Sequence, residues 1–133
     1  MVRLDDVAPA DTAMIKIDVE GYEAEVLAGA ARLLRQSRPY VLAELATEPD
    51  KAEATIAAVR GAGHRAYWFV DPFVTPQAPK APWQGKRRGD LHVFGVPAEV
   101  EQPRDMTEIR PGEPHPESLA GYPYLKAFGF RIP

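Results

Sequence analysis

Ala13-Met14-Ile15-Lys16-Ile17-Asp18-Val19, then Glu20-Gly21, then an unbroken run from Tyr22 to Gln36, is the most structured passage of the chain. Its first seven residues are apolar and β-branched in a short block, which predicts a strand. Glu20-Gly21 closes it. From Tyr22 the apolar positions are Val26, Leu27, Ala30, Leu33 and Leu34. That is the 3,4 spacing of one buried helical stripe. Glu23 and Glu25 fall in the first turn, Arg32 and Arg35 near the end, and these charges suit the helix dipole. Pro39 lies beyond the stop.

Working outward, Tyr40 to Ala46 is a second, nearly continuous apolar strand, the pattern of a parallel strand covered on both faces. Thr47-Glu48-Pro49-Asp50 predicts a helix start, with Thr47 as cap, Pro49 in the first turn and Asp50 at the capping-box position. That helix runs to about Arg60 and stops at Gly61 or Gly63. Arg65 to Val70 is a third strand, Asp71 to Gly89 a loop with four prolines, and Asp90 to Val96 a fourth strand. The order is β-α-β-α-β-loop-β. Helical links between the first three strands imply parallel pairing through right-handed crossovers. The last pair, joined by a loop, is free to pair antiparallel. The class is α/β, with helices on the sheet faces.

Composition narrows the function. The chain has 133 residues, 45% of them hydrophobic, enough for one packed domain with a tail. Its formal net charge is -3, without the basic excess of a phosphate-backbone binder, so no nucleic-acid partner is expected. There is no cysteine, hence no disulfide framework and no thiolate zinc site. No apolar run reaches the roughly 20 residues of a membrane helix, and the start of the chain lacks a signal-peptide pattern. A cytoplasmic protein without a membrane partner is the expectation. Of 14 prolines, 11 follow residue 70. Proline removes a backbone donor and fixes φ, so the tail from Pro97 is expected to be extended and loosely ordered.

Met14 to Ala30 strongly resembles the FkbM family of S-adenosylmethionine-dependent methyltransferases. The residues that carry the resemblance are Lys16, Ile17, Asp18, Val19, Glu20, Gly21, Glu23, Val26, Leu27, Gly29 and Ala30. Arg3-Leu4-Asp5-Asp6-Val7 upstream is similar to a Leu-Asp-Asp-Leu segment of the family. Arg38-Pro39 with the strand ending in Glu44, and Asp90 to Pro97 as a closing strand, also fit. The resemblance covers about residues 2–98. It implies a partial Rossmann-like, class I methyltransferase sheet, with parallel strands, crossover helices and a last antiparallel strand. It also implies methyl transfer from S-adenosyl-L-methionine, typically to a hydroxyl of a small metabolite or sugar. If the first strand here corresponds to the family's fourth, the cofactor-binding glycine loop and the ribose-binding acid lie upstream of Met1. Residues 1–98 are then the C-terminal half of a methyltransferase domain and 99–133 a proline-rich tail. On that alignment this chain alone carries only part of the S-adenosyl-L-methionine site, and no cofactor-binding residue is assigned.

Alternation of side chains along a strand puts Lys16, Asp18 and Glu20 on one face. Asp18 and Glu20 come at the strand's carboxyl end, where open α/β sheets bind their ligands. They are the candidate catalytic residues, lining a site and aligning an acceptor hydroxyl or taking its proton. The bland alternatives are a Lys16–Asp18 pair and Glu20 capping the next helix. Glu44, inside an apolar strand, needs a partner, and Lys16 is a candidate. His64, His92 and His115 are scattered without ligand spacing, and no metal site is expected. Gly61-Ala62-Gly63-His64-Arg65-Ala66 matches G-x-G-x-x-A but ends a helix instead of opening one, so it reads as a helix stop. Asp71-Pro72-Phe73 reads as a turn. Lys86-Arg87-Arg88 reads as a solvated loop beside Trp83, with contact to a negative acceptor or partner the weaker alternative. Tyr122, Tyr124, Phe128 and Phe130 either pack the tail onto the body or dock a partner. The rival function is a non-catalytic fragment or interaction module that keeps the fold without a cofactor pocket, pairing with another chain at an exposed sheet edge. A metal-dependent hydrolase using Asp18 and Glu20 lacks the further ligands it would need.

Overall fold

The computed structural model describes residues 2–73 and 89–132. In chain order the elements are α1 (Leu4–Val7), β1 (Met14–Ile17), α2 (Glu23–Ala28), α3 (Ala31–Gln36), β2 (Tyr40–Glu44), α4 (Pro49–Gly61), β3 (His64–Pro72) and β4 (Gly89–Pro97). Two 3-10 turns follow, Leu119–Gly121 and Pro123–Phe128. The fold is α/β around one four-stranded mixed sheet of order β1-β2-β4-β3.

β1 and β2 pair in parallel, Met14 opposite Tyr40 and Ile17 opposite Ala43. β4 runs antiparallel to both β2 and β3. The first three strands therefore point the same way, as the helical links require. The expected pairing of β3 with β2 is not made, because β4 lies between them. β4 instead folds back along the whole of β3, and its buried Val93 and Val96 suit an interior strand. Gly95 makes this packing possible. A Cβ there would lie 2.7 Å from Val59 of α4 and 3.2 Å from Val41 of β2.

The helices gather on one face. Ile15, Ile17, Val41, Ala43 and Val93 join Leu27, Leu33, Leu34, Ile56 and Val59 in a single core. The other face carries Met14, Lys16, Tyr40, Leu42 and Phe94, and at its β3 end Tyr124 of the last 3-10 turn stacks on Phe69 with centroids 5.2 Å apart. Met14 and Tyr40 are 51% and 40% exposed there. Tyr40 and Phe94 stack with ring centroids 5.9 Å apart, so β2 is apolar on both sides although only one is helix-covered.

The helix expected from Tyr22 to Gln36 is broken at Gly29-Ala30 into α2 and α3. Asp5 causes the break. Its backbone N–H bonds to Gly29 O, and its carboxylate accepts from the N–H groups of Arg32 and Leu33 at 3.0 and 2.9 Å. These are orphan donors at the start of α3, capped from 27 residues away. At α4 the expected Thr47 cap is replaced by Glu48 with Pro49 at the first position, and the Thr47 hydroxyl donates to Glu48 instead.

The tail is irregular, but it is not loose. Thr107 O accepts from Trp68 N–H and Ile109 N–H donates to Ala66 O, so the tail runs along the free edge of β3. Ile109, Tyr122 and Leu125 join the core, and the Tyr124 hydroxyl bonds both the N–H and the O of Val70. Prolines rule out a regular helix or inner strand, yet the apolar residues between them still bury.

Arg38 ties the opposite rim together. Its guanidinium holds Ala62 O and Gly63 O, the last turn of α4, and grips both oxygens of Glu99 at 2.7 Å. The Arg38 hydrogen bonds, helped by its charge, pull the Glu99 carboxyl down to about 2. A depressed folded-state value means stabilisation present above the usual 4.5 and lost as pH falls towards 2. Thermal unfolding followed from pH 5 to 2 should fall more steeply for the wild type than for Glu99→Gln. Parallel profiles would show that the clamp contributes nothing.

Candidate functional site

Burial of Ile15 and Ile17 fixes which way β1 faces, and the parallel register sets its end against that of β2. Ile17 is opposite Ala43, so one residue further on Asp18 comes abreast of Glu44. Glu44 is opposite His92 of β4, and His92 opposite Phe69 of β3. One row, Asp18–Glu44–His92–Phe69, thus crosses the sheet at the carboxyl ends of its co-directional strands.

Lys16 Nζ donates to Asp18 Oδ2 at 3.0 Å. Hydrogen bonds from Lys16 and then Glu44, followed by the Lys16 charge, hold the Asp18 carboxyl below the usual aspartate range. Asp18 is therefore ionised at neutral pH and half-exposed, an acceptor with its orientation set. The Lys16–Asp18 pair foreseen in the sequence is present, and Glu44 meets Asp18 from the next strand. His92 is buried, and burial pushes its pKa down, so it is neutral at pH 7. Its Nδ1 lies 3.2 Å from Asp90 O, and its ring meets Phe69 edge-on with centroids 5.7 Å apart. A carbonyl only accepts, so Nδ1 carries the proton and Nε2 is left as the acceptor. In the sequence His92 stands out only as a histidine without ligand spacing. Only the antiparallel register of β4 on β2 reveals that it adjoins the carboxylates.

Glu20 is not placed by strand alternation. β1 ends at Ile17, and Glu20 has φ 53 and Gly21 φ 93, so the chain turns in left-handed backbone after Asp18. Glu20 is exposed and forms no hydrogen bond among the described residues. It does not cap α2. Gly63, with φ 80, follows the end of α4 beside the Arg38 guanidinium and precedes β3, the helix stop expected of the G-x-G-x-x-A segment. Asp71 and Pro72 end β3 opposite Asp90 and Gly89, so Asp71-Pro72-Phe73 is a strand end, not a turn. Trp83 and Lys86-Arg87-Arg88 lie outside the described residues.

An open depression of about 580 Å³ lies away from this row, near the start of β3, between Arg65, Tyr67, Gln102, Arg104 and Arg110. Its charges are mutually paired, Arg65 with Glu108 at 2.6 Å and Arg110 with Glu113 at 3.8 Å, so it reads as the seam between tail and sheet. Among the described residues no three His, Asp or Glu side chains converge as metal ligands. Nor does any described helix have the length and apolarity to cross a membrane.

S-adenosylmethionine would find one acidic wall at the end of β1. The described residues supply no facing wall, because β1 is the outermost strand of the sheet. Taken alone, these residues do not make a full seat for that donor. No curated protein and no solved structure matches the chain. Residues 1–66, from α1 through β1, β2 and α4 to the start of β3, match the family model of the methyltransferase FkbM domain.

Proposed function

We propose that the chain is the acceptor-side, C-terminal portion of an S-adenosylmethionine-dependent methyltransferase fold, with residues 1–98 in the domain and 99–133 as its tail. The acceptor is a hydroxyl of a small metabolite or sugar. The observation that carries this reading is the FkbM match over a segment whose acidic turn opens at the carboxyl ends of parallel β1 and β2. Ligands of open α/β sheets sit at that end.

In this reading the donor supplies the methyl group, and the chain supplies orientation. Asp18, ionised and braced by Lys16, accepts the hydroxyl's hydrogen bond and holds its oxygen for attack. Positioning of this kind accounts for much of the acceleration in a two-substrate reaction. The low pKa that keeps Asp18 ionised also makes it a weak base, so orientation is its larger contribution. Glu20, exposed at the crest of the turn, lines the same mouth. In a complete enzyme carrying this segment, Asp18→Ala should lower turnover by on the order of 10²-fold, with a smaller loss for Glu20→Ala. Unchanged turnover in both would remove them from the site.

A second reading is favoured by the open outer edge of β1 and the uncovered face beside it. An unpaired strand edge is a template for pairing with another chain, as in an interaction module without a cofactor pocket. Micromolar binding of S-adenosylmethionine to the 133-residue chain in a calorimetric titration would exclude the module. Because the chain holds one wall of the donor site, absence of heat is expected of both readings, and turnover of the Asp18→Ala enzyme then separates them.

A further inference from the structure

Asp18 lies beyond the last residue of β1. The turn that follows is conformationally expensive. Glu20 has φ 53 and Gly21 φ 93, and a non-glycine residue enters this region only when something nearby enforces it. The Glu23 carboxylate supplies the enforcement. Its Oε1 accepts from Val19 N–H at 3.2 Å and from Gly21 N–H at 3.1 Å, bracketing Glu20 from both sides. Amides that converge across a left-handed turn form a concavity for an anion, and here the anion is built into the first turn of α2.

We infer that Glu23 is the positioning residue of the strand-end site, holding the Asp18–Gly21 turn in the conformation that sets Asp18 against Lys16 and Glu44. The inference rests on the reading of Asp18 as a site residue.

Burial makes the argument sharper. Glu23 is 2% exposed, and its Oε2 is buried without a hydrogen-bond partner among the described residues. Burying a carboxylate oxygen unpaired costs stability, and an apolar residue in the first turn of α2 would avoid that cost. What an apolar residue cannot do is gather the two amides. Lys51 closes the other side of the turn: a Cβ at Gly21 would lie 3.0 Å from its Nζ. The turn is therefore gripped from α2 and roofed from α4.

The test reads Asp18 directly, by carboxyl-carbon NMR titration of the full chain. The charged or titratable groups about Asp18 are Lys16 on its own strand, Glu44 on β2 and His92 on β4. In Glu23→Ala the Asp18 midpoint should rise to the ordinary value of about 3.8. Glu23→Gln, which keeps an acceptor oxygen for both amides, should retain the wild-type midpoint. An unmoved midpoint in folded Glu23→Ala overturns the inference, as does an equal rise in both variants. If Glu23→Ala does not fold, amide hydrogen exchange of the wild type decides. Protection of Val19 and Gly21 in the otherwise exposed turn supports the grip, and free exchange at both refutes it. None of these readouts involves a methyl donor, so unchanged turnover of Asp18→Ala in a complete enzyme sinks the functional reading and leaves this test intact.

Discussion

Tyr122→Ala is expected to remove about 3–5 kcal/mol of folding stability, the usual loss when a large aromatic is deleted from a packed interior. Tyr122 is 1% exposed and packs in the same core as Trp68, Ile109 and Leu125. Its hydroxyl donates to Pro116 O at 2.9 Å, folding the proline segment 111–116 over it. The loss is a large share of the roughly 5–15 kcal/mol that holds a typical domain together. It should be local as well as global. Without Tyr122 the Thr107 and Ile109 contacts along β3 lose their support, and the tail becomes cleavable. Urea unfolding gives the first quantity and limited proteolysis between residues 98 and 120 the second. Tyr122→Phe, which loses only the hydroxyl bond, should cost about 1 kcal/mol and keep the tail protected. A wild-type urea midpoint for Tyr122→Ala would mean that the tail adds nothing to the fold.

The second large effect is expected at Asp5. Burial works to raise this carboxyl, but the hydrogen bonds from Leu33 and Arg32 N–H overcome it, with help from the charges of Arg3 and Arg32. The net result is a lowered pKa. Asp5→Ala strips the cap from α3 and should lower Tm by about 5 °C, from the usual worth of a helix cap in a domain of this size. Asp5→Asn keeps one acceptor oxygen and should recover part of the loss. Because the folded-state pKa is depressed, this stabilisation is present above the usual 3.8 and is lost as pH falls below it. The wild type and Asp5→Ala should therefore converge in Tm as the solution is acidified. A constant gap down to pH 2 would show that the carboxylate charge is not what α3 depends on.

The sequence held the strands and their directions, because each is a short apolar run whose neighbours are helices or prolines. Strand order was less accessible. Nothing in Asp90 to Val96 marks it as an inner strand, since antiparallel and parallel interior strands are equally apolar. Its place follows from Gly95 meeting Val59, a three-dimensional fact. The break at Gly29 was hidden because Val26, Leu27, Ala30, Leu33 and Leu34 keep helical spacing across it, while the residue that interrupts the helix comes from Asp5. At the site, Asp18 could be anticipated from its strand-end position. Glu44 and His92 join it only through register, and Glu20 escapes the alternation rule because that rule stops where φ changes sign. The tail was misjudged for a related reason: proline content reports on regular hydrogen bonding and says little about burial of Ile109, Tyr122 and Leu125.

The insertion of β4 between β2 and β3 also dictates when the sheet can close. While a growing chain has been made only as far as Pro72, the strand that lies between β2 and β3 is missing, and each offers a raw edge to its surroundings. The piece that fills the slot is the last of the four strands to be made and pairs across about 50 residues with β2. Long-range pairings of this kind slow folding and leave incomplete chains adhesive. Synthesis halted anywhere before Pro97 should yield a sticky intermediate, and the closed, protease-resistant form should appear only once the tail through Leu125 has joined the core.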